Sequence, residues 1–172
     1  MNVPMVTRQL GRFMLMLAIL LFAMGIFAGI RWSMGIESEQ ASTWAFVTAT
    51  LVAGGIGGFA ILATRGAIRD IGRREACLLV VTTWVLGAMM AAIPFAGWAA
   101  YSEHDAAGML DGVIDPFFEA MSGLTTCGAT VVPDVEALPK SILLWRSLIQ
   151  WIGGLGVVVL FVAVLPSLGT GG

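Results

Sequence analysis

Four long apolar stretches, Phe13–Ile30, Trp44–Thr64, Ala76–Ala100 and Ser141–Leu165, alternate with short polar segments. Each holds about 18 to 25 residues, enough at about 1.5 Å per residue to cross a hydrocarbon core of about 30 Å as a helix. All four are expected to be transmembrane helices. Between the third and fourth lies Asp115–Leu124, which as a helix reaches only about 15 Å. That segment is too short to cross and must enter and leave on one side. A Thr/Gly-rich run, Thr125-Thr126-Cys127-Gly128-Ala129-Thr130, follows it. The pattern predicts an all-α membrane protein: four transmembrane helices plus one re-entrant half-helix and filter loop. A helix pair over 1–70 precedes a helix–P-loop–helix repeat over 71–172. No second copy of the half-helix and no low-complexity linker is visible, so the chain reads as one membrane module.

Composition agrees. The 172 residues are 58% hydrophobic and 12% charged, with a mean hydropathy of +0.92, more apolar surface than a soluble domain of this size can bury. Membrane lipid is therefore an expected partner. A net charge of -2 and basic residues clustered at segment ends exclude a nucleic-acid surface. Cys77 lies in an apolar run and Cys127 in the Thr/Gly turn, so two free thiols and no zinc site are expected. The first apolar stretch exceeds a usual signal-peptide core and no clear cleavage site follows, which favours an uncleaved first span.

Basic residues set the orientation. Arg8 and Arg12 precede the first span, and Arg65, Arg69, Arg73 and Arg74 crowd the loop between the second and third, so these regions are expected to be cytoplasmic. Glu37, Glu39, Glu103, Asp105, Asp111, Asp115, Asp134 and Glu136 lie on the other side, with Arg31 and Lys140 near its boundaries. Both termini are then inside, and the half-helix dips in from outside. Trp32, Trp44, Trp98 and Tyr101 fall at span ends, where amphipathic rings favour the headgroup zone. Pro94 and the run Gly153-Gly154-x-Gly156 mark places where a helix bends or is closely approached. Gly54-Gly55-x-Gly57-Gly58 has no preceding strand and no following Lys-Ser/Thr, so it reads as close helix packing and not as a phosphate loop.

The chemistry centres on the half-helix. Asp115 is the expected N-cap, Pro116 the first helical residue and Gly123 the terminator. The helix C-terminus would present the negative end of its dipole to a dehydrating cation. An ordinary outer loop helix is the alternative. Thr125, Thr126, Cys127 and Gly128 can offer main-chain carbonyls, with threonine hydroxyls as further ligands, and Gly128 supplies backbone angles that side chains resist. A plain turn is the alternative here. Arg146 lies about 9 Å along the fourth span from Lys140, where a charge either snorkels or pairs. Glu119 is the partner expected for it, and Gln150, one turn on, is expected to hydrogen-bond in the same layer. Asp111 and Asp115 form either an acidic mouth that concentrates cations or a solvated loop. His104 stands alone, and no nucleophile–base constellation exists, so the chain is not an enzyme.

The run Phe117-Phe118-Glu119-Ala120-Met121-Ser122-Gly123-Leu124-Thr125-Thr126-Cys127-Gly128-Ala129-Thr130, followed by Leu138-Pro139, Trp145-Arg146-Ser147, Gln150-Trp151-Ile152-Gly153-Gly154-Leu155-Gly156 and Leu165-Pro166, resembles the first pore repeat of the TrkH family of potassium uptake proteins. The likeness covers about 115–172, and the earlier spans resemble that family's N-terminal helix pair and first outer pore helix in order and hydrophobicity. It implies a Trk/Ktr/HKT-type fold in which four helix–loop–helix repeats surround one potassium path. It also implies potassium bound at the carbonyls of Thr125, Thr126, Cys127 and Gly128, a dimer, and a cytoplasmic nucleotide-binding regulatory subunit. Cys127 stands where many relatives have Thr, with its side chain expected to point away from the pore. One repeat supplies about a quarter of a filter ring, so missing pore repeats, a second polypeptide or further copies of this chain must complete it. The resulting expectation is potassium transport in the plasma, or bacterial inner, membrane without a cofactor. A truncated, non-conducting membrane scaffold is the alternative.

Overall fold

The computed structural model describes residues 3–65, 73–102, 110 and 112–168, and the side chains of these residues apart from 73, 74 and 159–168. Its elements are α1 (Val3–Ser33), α2 (Glu39–Ala63), α3 (Arg73–Tyr101), α4 (Ile114–Leu124), a short 3-10 turn (Val135–Ala137) and α5 (Lys140–Leu168). No strand occurs among the described residues. Among the described residues four helices are long and apolar enough to cross a membrane, and α4, with 11 residues, is the short one. The all-α architecture of four spans and one half-helix is the one the apolar pattern predicts. Expectations for Arg69, Glu103, His104, Asp105 and Asp111 lie outside the described residues, as do the side chains of Arg73 and Arg74.

Every long helix extends beyond its apolar stretch. In α1 the helix begins ten residues before Phe13, and its polar side chains bond locally. Thr7 Oγ1 donates to the Val3 carbonyl at 3.1 Å and Arg12 to Gln9 Oε1 at 3.2 Å. Backbone bonding continues wherever water or headgroups can solvate such side chains, so hydropathy alone locates the core of a span and not its ends.

Lipid is as apolar as leucine, so helices in a bilayer associate through close packing. One face of α2 consists of Ala45, Ala49, Ala53 and Gly57, spaced four apart and all buried. Facing it, α1 buries Met14, Ala18, Leu21 and Ala28. The approach is tightest at Gly57, where an added Cβ would lie 2.8 Å from the Gly11 carbonyl oxygen and 3.0 Å from the Leu15 nitrogen. The packing role expected of the second-span glycines thus falls to Gly57, whereas Gly55 and Gly58 face open space. Met16, Ile19, Leu51 and Phe59 point outward, as lipid-facing side chains do.

The buried face of α3 carries Ala88, Ala91, Ala92, Phe95 and Trp98. Trp98 therefore belongs to the core and not to the headgroup zone expected for it: the helix turns that residue inward, while Trp44 and Tyr101 remain half exposed. Pro94 lies inside α3, and its missing N–H leaves the ladder short one turn earlier. Close to that break, the Trp145 indole donates to the Ala91 carbonyl at 3.0 Å. Trp145 also meets Phe46 edge to face, with ring centroids 6.0 Å apart, so a single buried side chain joins α5 to both α2 and α3.

Gly57→Val should lower the thermal midpoint of the detergent-solubilised protein by the equivalent of about 1–3 kcal/mol of overpacking. Gly58→Val, at a position with open space, should leave it unchanged.

Candidate functional site

The half-helix starts two residues earlier than its sequence signals indicate. Ile114 is the first helical residue and Val113 the N-cap, with no side-chain capping bond, so Asp115 is not the cap and Pro116 is the third helical residue. The first four amides of any helix lack intrahelical acceptors, and proline costs nothing at any of them. Phe117 N closes the first turn on the Val113 carbonyl at 3.3 Å. Asp115 still places a carboxylate in the first turn, where the helix dipole favours it.

The other end also differs. Gly123 stays helical, and Thr125 is the C-cap. Cys127 N bonds the Ser122 carbonyl at 3.0 Å and Thr126 N bonds the Gly123 carbonyl at 2.9 Å. This pair of bonds is a Schellman closure, which normally places glycine in the left-handed position. Here Thr126 occupies it, with φ of 58°. A β-branched residue is strained there by about 1–2 kcal/mol. The glycine serves packing instead, since a Cβ on Gly123 would lie 2.6 Å from Ile149 Cδ1 of α5. Gly128 has φ of 72° and uses the conformational freedom expected of it.

Glu119, 2% exposed, organises the limb that climbs away from the turn. Its Oε1 accepts from Thr130 Oγ1 at 2.7 Å and from Val131 N at 2.8 Å. Its Oε2 pairs with the Arg146 guanidinium, the partner expected from sequence. Arg146 also donates to Thr130 Oγ1 at 3.3 Å, so the three side chains form one closed group. Ser122, which sequence reasoning missed, adds a second anchor by donating to the Ala129 carbonyl at 2.6 Å. Its own carbonyl takes the amides of Cys127 and Gly128. A serine in the last turn of the half-helix, next to Gly123, was the available signal.

The loop runs antiparallel to α5, in register. The Leu124 carbonyl abuts Gly153, where a Cβ would lie 2.0 Å from its oxygen. A Cβ on Gly154 would meet Thr126 Cγ2 at 3.8 Å, and one on Gly128 would meet Gln150 Nε2 at 3.5 Å. Thr130 then reaches Arg146, one turn nearer the start of α5. Gln150, expected to hydrogen-bond in the layer of the ion pair, lies instead beside Gly128, with its side-chain amide toward the turn. From Lys140 to Gly153 the helix advances about 20 Å, so the loop reverses well below the helix start.

Thr125, Thr126, Cys127 and Gly128 are all exposed. Among the described residues their four carbonyl oxygens accept no hydrogen bond, whereas the next carbonyl, Ala129, is held by Ser122. The hydroxyl proton of Thr125 is committed to the Met121 carbonyl at 2.8 Å and that of Thr130 to Glu119. The turn therefore offers a cation its four unpaired backbone oxygens. Such oxygens suit a hard, weakly hydrated cation.

Residues 100–172 match the family model described as "TrkH: Cation transport protein". The Trk system potassium uptake protein TrkH of Halomonas elongata is 39% identical over 130 residues, which are 74% of this chain and 25% of that protein. TrkG of Escherichia coli K12, a Trk system potassium uptake protein, is 43% identical over 117 residues, 68% of this chain and 22% of that one. The crystal structure of the potassium transporter TrkH from Vibrio parahaemolyticus superposes with a TM-score of 0.81 at 30% identity, covering 99% of this chain and 33% of that chain. The chain thus spans about a fifth to a third of the length of these relatives.

Gly153→Ala should force the end of α4 away from α5 and lower the thermal midpoint, whereas Gly154→Ala, an ordinary contact, should be tolerated. Glu119→Ala should destabilise by about 1–3 kcal/mol, because it leaves the half-buried Arg146 guanidinium unpaired and removes the acceptor of Thr130 and Val131. Thermal unfolding of the purified variants in detergent measures both.

Proposed function

We infer that this chain, whose residues 100–172 belong to the TrkH family of cation transport proteins and whose fold is that of a TrkH relative throughout, contributes one wall of a potassium pathway across the plasma, or bacterial inner, membrane. The observation that supports this most directly is the run of four unpaired, exposed carbonyls at Thr125, Thr126, Cys127 and Gly128. In this reading potassium sheds water against those oxygens and moves inward down its potential. The C-terminus of α4 adds the negative end of a helix dipole to the same place. No bond is made or broken.

A cationic side chain beside a cation path would repel the ion, and Glu119 removes that obstacle by neutralising Arg146. The same carboxylate holds Thr130 and Val131, and so keeps the loop open against collapse onto α5. Filters of this kind are rings. Further filter segments, from additional repeats or from further copies of this chain, complete the ring. The positive residues Arg8, Arg12 and Arg65 support a cytoplasmic location for both termini. That face is where a nucleotide-binding regulatory subunit of the Trk type would dock.

Cells lacking potassium uptake, expressing this chain alone or with the remaining repeats of a TrkH relative, test the reading. Growth at low external potassium should be restored in at least one of the two cases. Gly128→Ala, which puts a side chain at φ of 72°, should lower uptake about tenfold, as a penalty of 1–2 kcal/mol implies. Stable insertion without uptake in either case would favour the non-conducting scaffold.

A further inference from the structure

Glu39 is a carboxylate that the pathway does not use, yet it is fully buried. It opens α2, far from the filter turn in sequence, and it ties α2 to two other helices. From α1, Arg31 Nε donates to its Oε1 at 2.8 Å, and the same guanidinium stacks over Phe27 at 5.9 Å from the ring centroid. From α5, Ser141 N donates to Oε1 at 3.4 Å and Ser141 Oγ donates to Oε2. A buried carboxylate persists only when paired and hydrogen-bonded, and this one is both.

The Ser141 contacts have a specific meaning. Helix α5 begins at Lys140, preceded by Leu138 and Pro139, so its own sequence offers no side-chain oxygen at the capping position. Ser141 N is one of the four amides that a helix start leaves without an acceptor. Glu39 satisfies it from another helix and brings a full negative charge to the positive end of the α5 dipole. The capping group that α5 lacks locally is therefore supplied across the fold by the N-terminal helix pair.

The α5 groups that seat the filter turn lie further along that helix: Arg146 against Thr130, Gln150 beside Gly128, Gly153 against the Leu124 carbonyl. At Gly153 the backbones are already so close that no added Cβ fits. An axial slip or tilt of α5 would displace the turn directly. We propose that Glu39 is a positioning residue for the filter: by capping α5 in trans, it makes the N-terminal helix pair part of the frame that sets the turn's geometry. The proposal rests on the filter reading for its functional meaning, but its geometric content stands apart.

Cys127, exposed within the turn, is a built-in reporter. In a Cys77→Ala background, the full chain in membrane vesicles is treated with a small cationic methanethiosulfonate, with and without potassium. Ser141→Ala, which removes only the hydroxyl, and Glu39→Gln, which keeps the shape but loses the charge, are compared with the parent. Each weakens the link between Glu39 and Ser141 at the start of α5 and should change the Cys127 modification rate about fivefold, the factor equivalent to losing about 1 kcal/mol. Each should also weaken protection by potassium. A role confined to holding α1 against α2 would leave both readouts unmoved. Unchanged rates in both variants, at unchanged membrane levels, would overturn the proposal. If Glu39→Gln does not accumulate, Ser141→Ala decides alone. Parent modification that potassium fails to slow would count against the filter reading, while the rate comparison between variants would still decide the positioning role.

Discussion

A chain that reverses direction inside a bilayer loses the water that would solvate its backbone, and every polar group in the turn must find a partner in the protein or serve a ligand. Glu119 and Ser122 meet most of that demand here. Glu119 holds Thr130, Val131 and Arg146, and Ser122 holds Cys127, Gly128 and Ala129. With the flanks of the turn so fixed, the carbonyls from Thr125 to Gly128 are what is left over. The loop is shaped by subtraction: groups that could close it are occupied, and those that remain face outward.

That arrangement needs a rigid wall, which α5 supplies. Its glycines allow the end of α4 to approach at Gly153, and its Trp145 locks it to α2 and α3 through Phe46 and the Ala91 carbonyl near Pro94. The pair α1–α2 is held by a ridge of small residues and reaches α5 through Glu39. Packing of small side chains and a few buried polar links therefore act together. The strain at Thr126 is sustained because both sides of the turn are tied down.

The spans were legible because about twenty apolar residues in a row have few other uses, and the half-helix was legible because it was too short for that use. The pairing of Glu119 with Arg146 was also legible, since a charge six residues inside a span needs a partner. Helix ends were not: Asp115-Pro116 reads as a cap and first helical residue, yet the helix starts at Ile114, because proline is tolerated in the first turn. Gly123 looked like a terminator, yet the left-handed residue is Thr126, which no propensity scale selects. The ridge of Ala45, Ala49, Ala53 and Gly57 was hidden in a stretch that is apolar apart from Thr48 and Thr50 and where alanine marks no face. The reach of Glu39 to Ser141 and the inward turn of Trp98 depend on tertiary packing, which one sequence does not display.

The central claim is that main-chain oxygens between Thr125 and Gly128 replace water around a cation. Isotope labels on the carbonyls of Cys127 and Gly128, read by solid-state nuclear magnetic resonance in membranes holding the assembled ring, address it directly. The account predicts a saturable change at both carbonyls on adding potassium, with none on adding choline. Carbonyl signals indifferent to potassium, or changed equally by choline, would contradict it.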